Sequence, residues 1–158
     1  MHARAAWQLD RLGYRVYRYA PGKADWRAAG LPTEGSGAVE LRAGSIVRSS
    51  VPTCRPHTLV SEASAAARAA GWDVCIVVNE NGIVLGRLRG DQLDSTLQEP
   101  VEAVMELGPT TTRADDDLAG LVERMQRRNV GSILVTDPDG RLIGVLRRED
   151  GQAALSGR

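Results

Sequence analysis

Phenylalanine is absent from this 158-residue chain, and aromatic residues of every kind make up only 4% of it. Lys23 is the single lysine, so nearly all the positive charge is arginine, the side chain that grips phosphate or carboxylate with two donors. Cys54 and Cys75 are the only cysteines, too few for a disulfide framework. His2 and His57 are the only histidines, and no Ser-His-Asp set is visible for acid–base or nucleophilic work. No charged-then-apolar leader is seen, and no apolar run approaches the roughly 18 residues of a membrane helix. A reducing cytoplasm is therefore the expected location, with no membrane partner. Net charge is missing too: 20 basic residues balance 20 acidic ones. A general nucleic-acid or membrane-surface binder would show a basic excess, although a local anion site remains open.

What is present is enough apolar matter, 42%, to bury a core. The length suits one domain built from two half-sized modules that share a core. Trp7, Tyr14, Tyr17, Tyr19 and Trp26 crowd the first segment, and only Trp72 lies later, a composition shift that predicts two segments. Residues 1–32 read as helix, strand and helix, with strand propensity over Arg15–Tyr19 and helical turns over Lys23–Ala29. One short strand cannot make a sheet alone, so this piece reads as part of something larger. Residues 33–43, punctuated by Gly35, Ser36 and Gly37, read as linker.

The remainder is an internal repeat. At a spacing of 58 residues Gly82 falls on Gly140, Gly86 on Gly144, Leu88 on Leu146 and Arg89 on Arg147. Thr53 falls on Thr111 and Val60 on Leu118. The repeats are expected over 44–98 and 99–155. Each begins with a helix. In the second, Leu118, Leu121, Val122 and Met125 follow i, i+3, i+4, i+7. In the first, Ala63, Ala66, Ala67 and Ala70 are taken as the equivalent apolar face. A continuous apolar strand follows, Val74–Val78 or Ile133–Val135, which implies burial on both sides. Asn79–Gly82 and Asp137–Gly140 then supply hairpin turns, and second strands are expected over Ile83–Leu88 and Arg141–Leu146.

Val101–Asp115 and Val130–Asp150 resemble the opening and the core of a CBS domain, the type named from cystathionine β-synthase; Ala43–Leu97 is a weaker match. The resemblance implies a mixed α/β (α+β) fold, with tandem repeats packed sheet to sheet about a pseudo-twofold axis. It also implies a regulatory, non-enzymatic module that binds an adenine nucleotide (AMP, ADP or ATP) or S-adenosylmethionine between the repeats and forms a homodimer. Carried over residue by residue, the site would use Thr53 or Thr111 before the first helix, Val130, Gly131 and Ser132 before the central strand, and Asp150 for ribose hydroxyls. Where the family has Ser or Thr after the second strand, this chain has Arg147, which meets phosphate, blocks the cleft or simply lies in solvent. Repeat one departs at both positions, with Arg89 and Gln92. Leu12–Tyr17 and Gly22–Pro32 resemble the closing helix, strand and helix of a rhodanese domain. That likeness implies a truncated sulfurtransferase whose nucleophile-bearing loop and most of whose sheet are absent.

Two rival functions stand beside the nucleotide sensor: a ligand-free interaction and dimerisation module, supported by Arg89 and Arg147, and the truncated sulfurtransferase regulated by its repeats. Cys54 and His57 have C-x-x-H spacing but lack the four ligands of a zinc site, so no metal is expected. Asp115–Asp117 reads as the acidic first turn of a helix, and Arg124, Arg127 and Arg128 as a solvated helix face.

Overall fold

The computed structural model describes residues 9–17, 22–31, 41–94, 96 and 98–157. The expected linker 33–43 lies outside the described residues except for 41–43. Residues 9–11 are helical, and α1 spans Lys23–Ala28. The strand expected over Arg15–Tyr19 does not form at 14–17, and residues 18–19 lie outside the described set. No described strand lies beside it, and strand propensity without a partner ladder is not enough.

Repeat one comprises β1 (Thr53–Cys54), α2 (Val60–Ala69), β2 (Val74–Val78), β3 (Val84–Arg89) and α3 (Asp91–Asp94). Next come β4 (Glu106–Leu107), β5 (Thr111–Arg113), α4 (Leu118–Arg127), β6 (Ser132–Thr136), β7 (Leu142–Arg147) and α5 (Arg148–Ser156). Among the described residues there are two sheets, ordered β1-β2-β3-β4 and β5-β6-β7. In each, the strand before the helix runs parallel to the central strand, and the hairpin strand runs antiparallel to it.

The 58-residue spacing reaches down to single hydrogen bonds. The Val60 N–H donates to the Glu99 carbonyl at 3.0 Å, as the Leu118 N–H does to Leu41 at 3.1 Å. Val101 N–H donates to Thr58 O at 2.8 Å, and Ala43 N–H to Asp116 O at 2.9 Å. Each pair is one contact moved by 58 positions, and each crosses between repeats. The segment leading into repeat one lies on the second sheet, where Arg48 bridges Val145 of β7; the segment leading into repeat two lies on the first, where β4 pairs with β3. The two repeats thus exchange their leading segments. The pseudo-twofold runs between the hairpins, where Ile83 bridges Arg141.

Three clusters fill the interior. Cys75, Val77 and Leu88 pack under α2 with Val101 from the exchanged segment; Ile133, Val135 and Leu146 pack under α4 with Ala43 from the other. Val74, Ile76, Val78, Leu134 and Val145 join the sheets face to face. All five β2 residues are therefore buried, with alternate side chains going to the helix and to the opposite sheet.

The buried face of α2 is Val60, Ala63, Ser64 and Ala67, not the four alanines expected. Ala66 and Ala70 are exposed. A run of alanines carries no contrast between faces, so periodicity alone cannot orient it. The spacing does: these four positions moved by 58 are Leu118, Leu121, Val122 and Met125, the buried face of α4.

Candidate functional site

Helix termination places the first wall of the site. At the end of α2 the Trp72 N–H donates to Ala67 O at 2.9 Å and the Gly71 N–H to Arg68 O at 3.0 Å, with Gly71 at φ 68°. At the end of α4 the Val130 N–H donates to Met125 O at 2.8 Å and the Asn129 N–H to Gln126 O at 3.0 Å, with Asn129 at φ 50°. Both are Schellman endings, in which a left-handed residue turns the chain out of the helix and aims the next one away from it. Here that next residue enters the space between the repeats.

This space is a cleft of about 950 Å³. Trp72, Asp73 and Val74 contribute from repeat one; Thr111, Val130, Gly131, Ser132 and Arg147 contribute from repeat two. Five of the seven expected site residues therefore come together. Thr53 lies instead in a smaller cleft of about 370 Å³ with Cys54, Arg55 and Thr58. Asp150 is outside the lining of both. Its carboxylate accepts from Arg48 Nε at 2.7 Å and from a terminal nitrogen at 2.6 Å. The exchanged segment brings Arg48 to β7, just before the α5 turn that carries Asp150. Those hydrogen bonds hold the Asp150 carboxyl below its ordinary range.

The large cleft is rich in arginine. Arg87, Arg89, Arg124, Arg128, Arg147 and Arg148 line it, against the carboxylates of Asp73, Asp116 and Glu149. Glu106 on β4 neutralises part of this excess, accepting from Arg87 at 2.8 and 3.0 Å and from Arg89 at 2.9 Å. The Arg87 hydrogen bond is the main cause of the lowered Glu106 pKa. Arg124 lies 3.8 Å from Asp116, which also accepts the Thr112 hydroxyl. Among the described residues no carboxylate pairs with Arg128 or Arg148. Arg147 takes a different partner: its guanidinium lies 4.4 Å from the centre of the Trp72 ring, across the seam between repeats. Its nearest carboxylate, Glu149, is 3.7 Å away and mostly exposed.

Sequence reasoning missed Trp72, Arg124 and Arg128 as cleft residues. Trp72 is Val130 moved back by 58, so the repeat itself could have found it. Arg124 and Arg128 share one stripe of α4 at i, i+4 and face the cleft, whereas Arg127 is off that stripe, 3.8 Å from Glu123. Asp117 caps α4, accepting from the Gly120 N–H at 2.8 Å. His57 meets Glu102 at 3.3 Å, and among the described residues no three His, Cys, Asp or Glu side chains cluster as for a metal. The two thiols act on each other: the influence of Cys54, with burial, pushes the Cys75 thiol up, whereas the influence of Cys75 lowers that of Cys54 against the opposing effect of burial. Among the described residues no helix is long and apolar enough to cross a membrane.

Residues 101–157 match the CBS domain family. The chain also superposes on solved CBS structures. One is the pair from a transcriptional regulator of Streptococcus pneumoniae, with TM-score 0.65 and 18% identity, covering 72% of this chain and 98% of that one. The fold is that of a CBS domain pair. A second CBS pair, crystallised with 5′-methylthioadenosine and S-adenosyl-L-methionine, aligns with TM-score 0.64 and 17% identity over 75% of this chain and 98% of its own. The cytosolic domain of the Mg2+ channel MgtE in complex with ATP gives TM-score 0.65 and 22% identity over 75% of this chain. This chain spans about half of that longer chain, 51%. No curated protein matches in sequence. None of these likenesses supports the rhodanese-type resemblance of residues 12–32, and neither cysteine lines the large cleft.

Proposed function

We propose that this chain is a regulatory, non-catalytic CBS pair that senses an adenine nucleotide in the large cleft, working as a homodimer with repeats over 44–98 and 99–155. One observation carries the reading: a single cleft collects an indole from one repeat and hydroxyls, an open backbone turn and an excess of arginine from the other. An indole suits a purine ring, and arginine suits phosphate. The ligands named for the two solved relatives, ATP in one and adenosyl compounds in the other, share an adenosine. Thr111, Val130, Gly131, Ser132 and Arg147 are the proposed contacts. Asp150 would reach a ribose only by releasing Arg48, and Thr53 belongs to the smaller cleft.

The test is a thermal melt with ATP, ADP, AMP, adenosine and S-adenosylmethionine. A ligand at a hundred times its dissociation constant adds about 2.7 kcal/mol, or roughly 5–10 °C for a chain of this size. One observation favours a second reading, the ligand-free interaction module: Arg147 already covers Trp72. A panel that moves the melt of neither the wild type nor Arg147→Ala makes that second reading the better one. Sedimentation at micromolar concentration checks the homodimer, which a purely monomeric boundary would rule out.

A further inference from the structure

The two repeats treat their equivalent arginines differently. Arg89 ends β3 and Arg147 ends β7, one repeat spacing apart. Arg89 is held by the Glu106 carboxylate at 2.9 Å, a charged hydrogen bond shared with Arg87. Among the described residues no carboxylate holds Arg147 in this way. Glu149, its nearest, is 3.7 Å away with a side chain 72% exposed, a geometry that contributes little. What holds Arg147 is the Trp72 ring, an attraction that any other flat group can replace. Position 130, where the repeat would put a second ring, is Val130. The cleft therefore has one exchangeable stack, on one side only.

Trp72 is anchored. Its backbone is fixed by the Schellman bond to Ala67, and its side chain packs against the cluster between the sheets. Arg147, in contrast, is a long side chain whose guanidinium holds the place over the indole that a flat ligand ring would take. A ring entering there displaces a cation into a cleft already carrying Arg128 and Arg148, which pair with no carboxylate among the described residues. That crowding is unfavourable unless the same ligand brings negative charge.

Building on the nucleotide reading above, we propose that Arg147 and Trp72 form an exchange switch. The ligand's ring takes the face of Trp72, and the released Arg147 turns to the ligand's phosphates. The switch selects for ring and phosphate in one molecule. A nucleoside alone must displace the guanidinium and gives it no new partner. A polyphosphate alone has nothing to offer the indole. S-adenosylmethionine, whose sulfonium and ammonium outweigh its one carboxylate, brings net positive charge into an arginine-rich cleft and is disfavoured on that ground.

Isothermal titration of the full chain with ATP, adenosine and inorganic tripolyphosphate tests this. The wild type is expected to bind ATP at least about tenfold more tightly than either other compound, as the loss of a charge-assisted contact implies. Arg147→Ala is expected to weaken ATP about tenfold or more and to tighten adenosine, because the indole is then uncovered. Trp72→Leu is expected to weaken both about tenfold, as loss of a stacking face does. Trp72→Phe keeps an aromatic face and guards against mere misfolding, so it should bind ATP within a few-fold of the wild type. The exchange is overturned if Arg147→Ala moves ATP and adenosine by the same factor, if it weakens adenosine, or if tripolyphosphate binds the wild type as tightly as ATP. In those cases wild-type ATP binding still stands and the nucleotide reading survives. If the wild type binds none of the three, the nucleotide reading falls and the exchange falls with it.

Discussion

A methyl group on residue 144 has nowhere to go. A Cβ there would sit 2.6 Å from the Arg48 carbonyl oxygen, because the exchanged segment crosses β7 at that point. Gly86 is the same place in the other repeat, where a Cβ would lie 2.7 Å from the Met105 sulfur and 2.9 Å from the Glu106 carbonyl oxygen. Of the two glycine pairs that made the repeat visible in the sequence, Gly86 and Gly144 are therefore crossing points of backbone, while Gly82 and Gly140 are left-handed hairpin residues. Gly144→Ala should destabilise the chain by roughly 1–3 kcal/mol, the usual effect of overpacking, with a lowered urea midpoint. An unchanged midpoint would mean the crossing segment can shift aside. Beside the other crossing, the Glu106 carboxyl titrates below its ordinary range because Arg87 and Arg89 favour its charged form. A carboxyl with a depressed folded pKa stabilises fully above its unfolded value, about 4.3, and loses that contribution as pH falls through the folded value. Glu106→Gln should thus lower stability at pH 7, with the gap to wild type closing as the pH is taken below about 4. A gap independent of pH would show that the carboxylate's charge contributes nothing.

Among the elements, α2 and α4 are the same helix written in two vocabularies. Asp117 caps α4 through the Gly120 N–H, whereas Leu59 at the same place before α2 makes no side-chain cap. Asp117→Ala should lower the denaturation midpoint by an amount equivalent to about 0.5–2 kcal/mol, and a change confined to the far side of the cleft would be unexpected. The strands and hairpins were legible in the sequence because their signals are categorical: an unbroken apolar run, five residues in one repeat and three in the other, then Asn or Asp, then Gly at the left-handed position. The buried face of α2 was not legible from its own residues, since alanine looks the same on every side; it needed the register of the better-written copy. Arg15–Tyr17 failed in the opposite direction. Their propensity is real, but a strand needs a neighbour, and propensity does not supply one. The cleft was half legible. Ser132 and Arg147 followed from family likeness, while Trp72 required the repeat to be applied backwards, from Val130 to its partner.

Over the molecule as a whole, the N-terminal residues and the two repeats are unequal companions. Gly30 lies against Ala114 and Ile143, where an added Cβ would meet them at 3.3 and 3.6 Å, so the chain just after α1 rests on repeat two. Yet Leu12, Tyr14 and Tyr17 are largely exposed, and the buried clusters draw on no described residue before Leu41. Removing residues 1–37 should therefore leave a cooperative melt with a slightly lower midpoint. A truncated chain with no cooperative transition would make that segment integral to the fold. The exchanged leading segments carry a further consequence. Each half of the molecule begins on the other's sheet, so the covalent link after Asp94 is not what keeps the halves together. They are clasped. A chain nicked by a protease between Asp94 and Glu99 should still migrate as one particle and fall into two only in denaturant, whereas either half made alone would lack the segment that crosses its sheet and would seek it in a second copy of itself.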